Sequence, residues 1–316
     1  RGRLQVLFLI RRTPFKTLRS FLSAGAILCL VSLISAACGS ERPAGPPPAD
    51  DAPGPAEPRA VLVSPRDPRP GGPVRVLAAF ESDAAKGSVS LRGPGGPIDP
   101  ASLKRGGGPP YWIAAEFAAA PSAEPVVIFR AGRNETAAGP DARIAAGDGW
   151  SHKSEILYSA WIEALFADAD ERSSWKALHE VTRDRSRNLL HGHLGLGEDG
   201  AAGANALEMT PDCADNPYFL RAYFAWKLGL PFGFHETGWG TVESPPRAGR
   251  FITADAPQPS GAPVPVASVR RLLTQVKNTV HAGSGRTALR ADGTDYYPLP
   301  LSRKDLRPGT VYADPY

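Results

Sequence analysis

The sequence predicts two folded parts in series: a small β-sandwich over residues 59–140, then an α+β domain over 148–316. Three observations carry this reading. From Arg59 to about Ala138, short apolar runs alternate with Gly/Pro clusters, the pattern of strands and turns. From Trp150 the apolar spacing switches to the i, i+3, i+4 rule of amphipathic helices. Ahead of both lies a chain with neither pattern, so the folded parts begin near residue 59.

That leading chain reads as an export segment and a tether. Arg1, Arg3, Arg11, Arg12, Lys16 and Arg19 precede the apolar run Phe21–Ala37, and no acid occurs before Glu41. A basic stretch, an apolar stretch and small residues before a cut site make a signal peptide, here residues 1–38. It ends in SAAC, which resembles a bacterial lipoprotein signal with Cys38 as the lipidated residue, although Ser35 stands where an aliphatic residue is usual. The expected location is the bacterial cell envelope, with a lipid anchor in the membrane. Residues 39–58, GSERPAGPPPADDAPGPAEP, form a Pro/Ala-rich linker, extended and semi-rigid. The charge balance agrees. Of 36 basic residues six lie in the signal, leaving 30 against 32 acidic ones, so the net +4 gives no reason to expect nucleic acid.

In the first folded part RAVLVSP, PVRVLAAFE, GSVSLRGP, YWIAAEF and EPVVIFRAG each read as a strand, bounded by turns such as PGG, GPGG and GGGPP. Five such runs suggest an Ig-like sandwich in the loose sense, serving as an accessory or spacing domain. Alternation is imperfect in Val74–Ala78, where Leu77 stands at a position expected to be polar.

In the second part, helices are expected over 150–170 and from Ser173 as N-cap through Trp175, Leu178 and Val181. LLHGHLGLGEDG reads as a loop, because its glycines break any period. A third, very apolar helix follows in PDCADNPYFLRAYFAWKLGLPF, stopped by Gly229 and Pro231. Residues 233–267 are expected to lack regular structure. SVRRLLTQVKNTVH is a short amphipathic helix, and a strand starts near Thr310.

Chemistry concentrates on Cys213. Cys29 and Cys38 fall in the signal segment, so Cys213 is left without a disulfide partner. With Asp212 as N-cap, Cys213 stands in the first helical turn, where unsatisfied N–H groups and the helix dipole favour thiolate. Pro217 opposes this placement. It suits the first turn of a helix beginning at Asn216, which would leave Cys213 just outside. A buried structural thiol is the alternative to a nucleophile.

DCADNPYFLRAYFAWKLGLPF together with the late DLRPGTVYADPY is similar to NlpC-like cell-wall cysteine peptidases, a branch of the papain-like fold. In that family an Asp-Cys pair opens a central helix ending in a Gly-Leu-Pro-like turn. A later Pro-Gly loop leads into a strand, and the next strand begins with the catalytic histidine. Asp212-Cys213 and Pro308-Gly309 occupy those places. Ala214-Asp215 departs from the small residue and glycine usual after the cysteine. The long separation implies an insertion across 235–295. The family's histidine would fall immediately after Tyr316, so the resemblance implies a domain incomplete at its C-terminus.

Within the chain, His281 in NTVHAGSGRT is the first candidate for the base that a cysteine needs, with His235 in GFHETGWG second. Asp212 completes the expected set as an acid/base or capping partner. His191 and His193 with Glu198 and Asp199 offer only an H-x-H pattern, too weak for a metal site, and GSGR is not a phosphate loop. The resemblance implies a monomeric thiol hydrolase acting on amide bonds of peptidoglycan stem peptides, without a cofactor. Its rivals are a transglutaminase-like acyl transferase and a non-catalytic envelope-binding lipoprotein.

Overall fold

The computed structural model describes residues 6–8 and 58–313, except 84–86, 132, 139–141, 145–147, 171, 239, 242, 256–260, 287–294, 297–298 and 303–304. The expected signal apart from 6–8, Cys38 as the expected lipidation residue, and the expected linker over 39–57 lie outside the described residues. Among those described, no helix is long and apolar enough to cross a membrane.

A short strand β1 (Val6–Phe8) pairs with the last, β12 (Val311–Ala313). Eight strands then build the sandwich: β2 (Ala60–Ser64), β3 (Val74–Phe80), β4 (Ser88–Gly93), β5 (Gly96–Ile98), β6 (Ser102–Gly107), β7 (Tyr111–Phe117), β8 (Val127–Ala131) and β9 (Asn134–Ala137). They form two antiparallel sheets ordered β2-β3-β7-β6 and β5-β4-β8-β9. All five runs read from the sequence are strands. The three it did not signal, β5, β6 and β9, are sheet edges and are half-buried or exposed throughout. An edge strand needs no apolar face, so no alternation marks it.

The imperfect alternation of β3 has a tertiary cause, since all seven of its residues are buried. Val74, Val76, Ala78 and Phe80 face the second sheet, in one cluster with Val89, Ile113 and Phe129. Leu77 and Ala79 belong instead to a cluster with Ala60, Leu62, Trp112 and Ala114 that continues into the helices. The first sheet is thus the middle of three layers, with the second sheet on one face and helix α1 on the other.

Helix α1 (His152–Phe166) begins at Ser151, whose side chain accepts from the Ser154 N–H while the Ser154 hydroxyl accepts from the Ser151 N–H. Its buried side, including Ile156, Leu157, Ala160 and Trp161, lies against β2 and β3. The second helix is shorter than its sequence suggested. α2 spans only Leu178–Thr182 with Ala177 at its N-cap. Ser173 is occupied elsewhere: its hydroxyl accepts from the Asp170 N–H and donates to the Asp170 carboxylate, closing a turn. Residues 189–200 form the expected loop.

α3 (Asn216–Leu228) is central and buried on nearly every face. Tyr223 stacks on Trp161 of α1 at 5.8 Å, and Phe224 meets Trp150, Tyr158 and Trp161. Gly229 ends the helix at φ 68° with its N–H turned back to carbonyls of the last turn, the left-handed stop that glycine accepts without strain. The segment expected to be irregular instead contains a hairpin, β10 (Gly233–Thr237) and β11 (Ala248–Thr253), shifted in register between His235 and Thr237. Three of the six β11 residues are exposed and only Ile252 is buried, so β11 offered no strand period to read. α4 (Val266–Thr279) follows as expected, burying Val269, Leu272, Leu273 and Val276. The Pro308-Gly309 turn precedes β12, and a Cβ on Gly309 (φ 89°) would meet the Tyr158 ring at 2.7 Å.

Candidate functional site

The helix start decides what surrounds the thiol. α3 begins at Asn216 with Asp215 at the N-cap and Pro217 in its first turn, where the missing N–H breaks no bond. The expectation that Asp212 caps a helix containing Cys213 is therefore corrected. Asp212 Oδ1 accepts from the Ala214 and Asp215 N–H groups, at 2.7 and 3.0 Å, and the Asn216 N–H donates to the Asp212 carbonyl. Asp212 thus shapes a turn ahead of the helix, and Cys213 sits in that turn. The thiol is free and exposed, which excludes the buried structural thiol.

Beneath the turn lies Asp215, 1% exposed, with Oδ1 lacking any hydrogen-bond partner among the described residues. Burial, and then the charge of Asp212, push its carboxyl up to about 6, against the pull of His281 and Lys277. His281, half-buried just beyond the end of α4, is therefore close enough to act on this acid, and its N–H donates to the Ser284 hydroxyl. Asp212, Cys213 and Asp215 thus lie at the mouth of α3, with His281 within electrostatic reach of Asp215.

A second group meets α3 at its first turn. His235, on β10, places Nδ1 2.7 Å from Asp295 Oδ1, and its backbone N–H reaches both carboxylate oxygens at 3.0 Å. The Tyr218 hydroxyl donates to Asp295 Oδ2 at 3.1 Å. With the carboxylate accepting at Nδ1, Nε2 is the ring nitrogen left for a general base to use. Tyr218 is fully buried, and burial raises its hydroxyl well above the usual range, so it stays protonated as a donor. Phe251 packs on the His235 ring at 4.6 Å. Asp295 is a site residue that sequence reading missed. It lies in a Gly-rich passage 60 positions from His235, and nothing local distinguishes it from a turn aspartate.

The HGHLGLGEDG loop is held through its two carboxylates. Lys227 of α3, wholly buried, pairs with Glu198 and lies 2.6 Å from Asp199. Glu198 also accepts from the Leu194 and Leu196 N–H groups, and Asp199 from the Gly192 N–H and the Tyr223 hydroxyl. Both acids are thus consumed in anchoring the loop to the helix. Among the described residues no three His, Cys, Asp or Glu side chains gather as a metal-holding group.

Compared with protein-family models, with curated proteins and with solved structures, the chain matches none of them.

Proposed function

We propose that the chain is an envelope-anchored thiol hydrolase that opens amide bonds, with peptidoglycan stem peptides as its substrate class and Cys38 as its lipidated residue. Cys213 gives its proton to an imidazole and attacks the carbonyl carbon, forming a thioester as the C–N bond breaks. The imidazolium returns the proton to the leaving amine, and water then hydrolyses the thioester with the same base. The Cys213 backbone N–H would receive the developing oxyanion, since the Ala214, Asp215 and Asn216 N–H groups are already bonded to Asp212.

The observation that carries this reading is the His235–Asp295 pair at the first turn of the helix whose mouth holds an exposed thiol. Nucleophile, base and orienting carboxylate are the three parts such chemistry needs. Of the two histidines near α3, His235 has a carboxylate fixing its tautomer, and we assign it as the base. His281, the first candidate from the sequence, lies within electrostatic reach of Asp215 and remains the rival base. Asp212 shapes the cysteine turn.

A papain-like reading of the second domain draws support from Asp-Cys directly ahead of a central helix, the Gly-Leu-Pro stop and the Pro308-Gly309 turn before β12. An Ig-like reading of the sandwich draws support from its strand order. Lettered A to G with an extra C′, the sheets read A-B-E-D and C′-C-F-G.

The test is release of new amino groups from purified peptidoglycan by the full chain, with Cys213→Ser, His235→Ala and His281→Ala beside it. Activity lost in Cys213→Ser and His235→Ala but kept in His281→Ala supports the assignment. Loss in His281→Ala alone moves the base, and undiminished activity in Cys213→Ser sinks the mechanism. Incorporation of an added amine in place of hydrolysis assigns acyl transfer.

A further inference from the structure

The seam between the sandwich and the helical domain holds a crevice of about 570 Å³, remote in sequence from the cysteine turn. One wall is the chain around β3, with Asp67, Arg69 and Arg75. The other is the loop after α2, with Arg185, His191 and His193. The volume lies within the range of sites for small organic ligands.

The lining is unusual in its charge. Three guanidiniums, of Arg69, Arg75 and Arg185, face a single carboxylate, Asp67. Arg75 is buried and donates to the backbone carbonyls of Asn188 and His191, which satisfy its N–H groups without neutralising its charge. Glu116 stands opposite Arg75 in the β3–β7 register but outside the lining, and Asp199 is already paired with Lys227. Burial, and then the nearby charge of Arg185, pull the Arg75 guanidinium down from its ordinary range. Arg69 and Arg185 have no ion-pair partner among the described residues. Three cations thus meet one lining carboxylate, with Glu116 and Asp199 acting on Arg75 from outside the lining.

A second observation is independent of charge. His193 lines the same crevice at 4% exposure, and its Nδ1 has no hydrogen-bond partner among the described residues. Burial drives this imidazole down to about 3, so it is neutral at ordinary pH, and His191 is also shifted down by burial. The His193 Nδ1 is itself shielded from the crevice, so a ligand meets this ring as a neutral wall. Gly192 and Gly195, both at positive φ, turn the loop so that His191 and His193 share this wall.

We propose that this crevice is a binding site for a phosphate monoester of a small molecule. The excess of two positive charges in the lining matches a phosphate dianion, and guanidiniums grip its oxygens through paired N–H groups. Arg69 and Arg185 close on the anion from the two domains, and Arg75 supplies fixed charge at the base. A ligand seated here touches both domains and holds the seam shut.

The test is titration calorimetry of the full chain with glucose 6-phosphate, inorganic phosphate, glucose and succinate as probes. Glucose 6-phosphate and phosphate are expected to bind, the sugar phosphate more tightly, and glucose not at all. Arg69→Ala/Arg185→Ala, which alters two exposed side chains, is expected to weaken glucose 6-phosphate binding by about tenfold or more, with the thermal midpoint of the free protein unchanged. Binding unaltered in that variant overturns the site. So does absence of binding by both phosphates. Succinate binding as tight as that of glucose 6-phosphate overturns the ligand class.

Discussion

His235 and Asp295 meet through Nδ1 and Oδ1 at 2.7 Å, and the same carboxylate holds the His235 backbone N–H and the Tyr218 hydroxyl. Four hydrogen bonds converge on one side chain that is 4% exposed, so the imidazole is fixed in both position and tautomer. Asp295→Asn can donate to Nδ1 and so permits the wrong tautomer. We expect it to lower kcat of thiol hydrolysis by about 10²–10⁴-fold while far-UV circular dichroism stays unchanged. Tyr218→Phe removes one bond to the carboxylate and should cost about tenfold or less. A kcat in Asp295→Asn equal to that of the parent would remove Asp295 from the mechanism.

Asp215 makes a stability prediction with a definite sign. Its carboxyl is at about 6 in the folded chain against 3.8 ordinarily, so the folded state holds the proton more tightly than the unfolded one. Between about pH 4 and 6 the folded state therefore binds more protons, and stability falls as pH rises through that window. Asp215→Asn should raise stability by about 1–3 kcal/mol above pH 7, a gain that fades towards pH 4. Urea denaturation at the two pH values measures it; an equal effect at both would contradict the assignment.

Arg221 of α3 and Glu155 of α1 form a two-pronged pair, one contact at 2.8 Å, with the guanidinium lying 3.2 Å over the centre of the Trp150 ring. The arginine side chain is 3% exposed and the glutamate 14%. Glu155→Gln leaves a buried charge without its partner and should destabilise by about 3–5 kcal/mol in urea unfolding. Adding Arg221→Met should recover part of the loss. A double variant worse than the sum of the singles would show that the pair is not an isolated unit.

Leu77 tests the three-layer arrangement. Its strand belongs to the sandwich, yet its side chain packs in the cluster that contains Trp161 and Tyr223. Leu77→Ala should cost about 2–5 kcal/mol and lower the unfolding midpoint of both parts together in calorimetry. Two separate transitions with only the first shifted would place the helical domain outside that shared core.

Much of the fold was legible in the chain because its signals are local. Alternation and Gly/Pro turns marked five strands around the sandwich core, 3.6-residue spacing marked α1, and Gly229 marked the end of α3. Cys213 stood out by cysteine count alone. Edge strands such as β6 and the exposed hairpin strand β11 carried no such mark, because burial on one face is what writes alternation into a sequence.

What only the tertiary structure decided are pairings whose members are distant along the chain. Pro217 left two helix starts open, and Asp212 closing its own turn selected the one that puts Cys213 outside α3. Asp295 finding His235, Lys227 finding Glu198 and Asp199, and the two-faced burial of β3 depend on packing between elements rather than on any periodicity within one. The candidate cysteine could be read from the chain. Its surroundings were set by which faces the helices and sheets had left to bury.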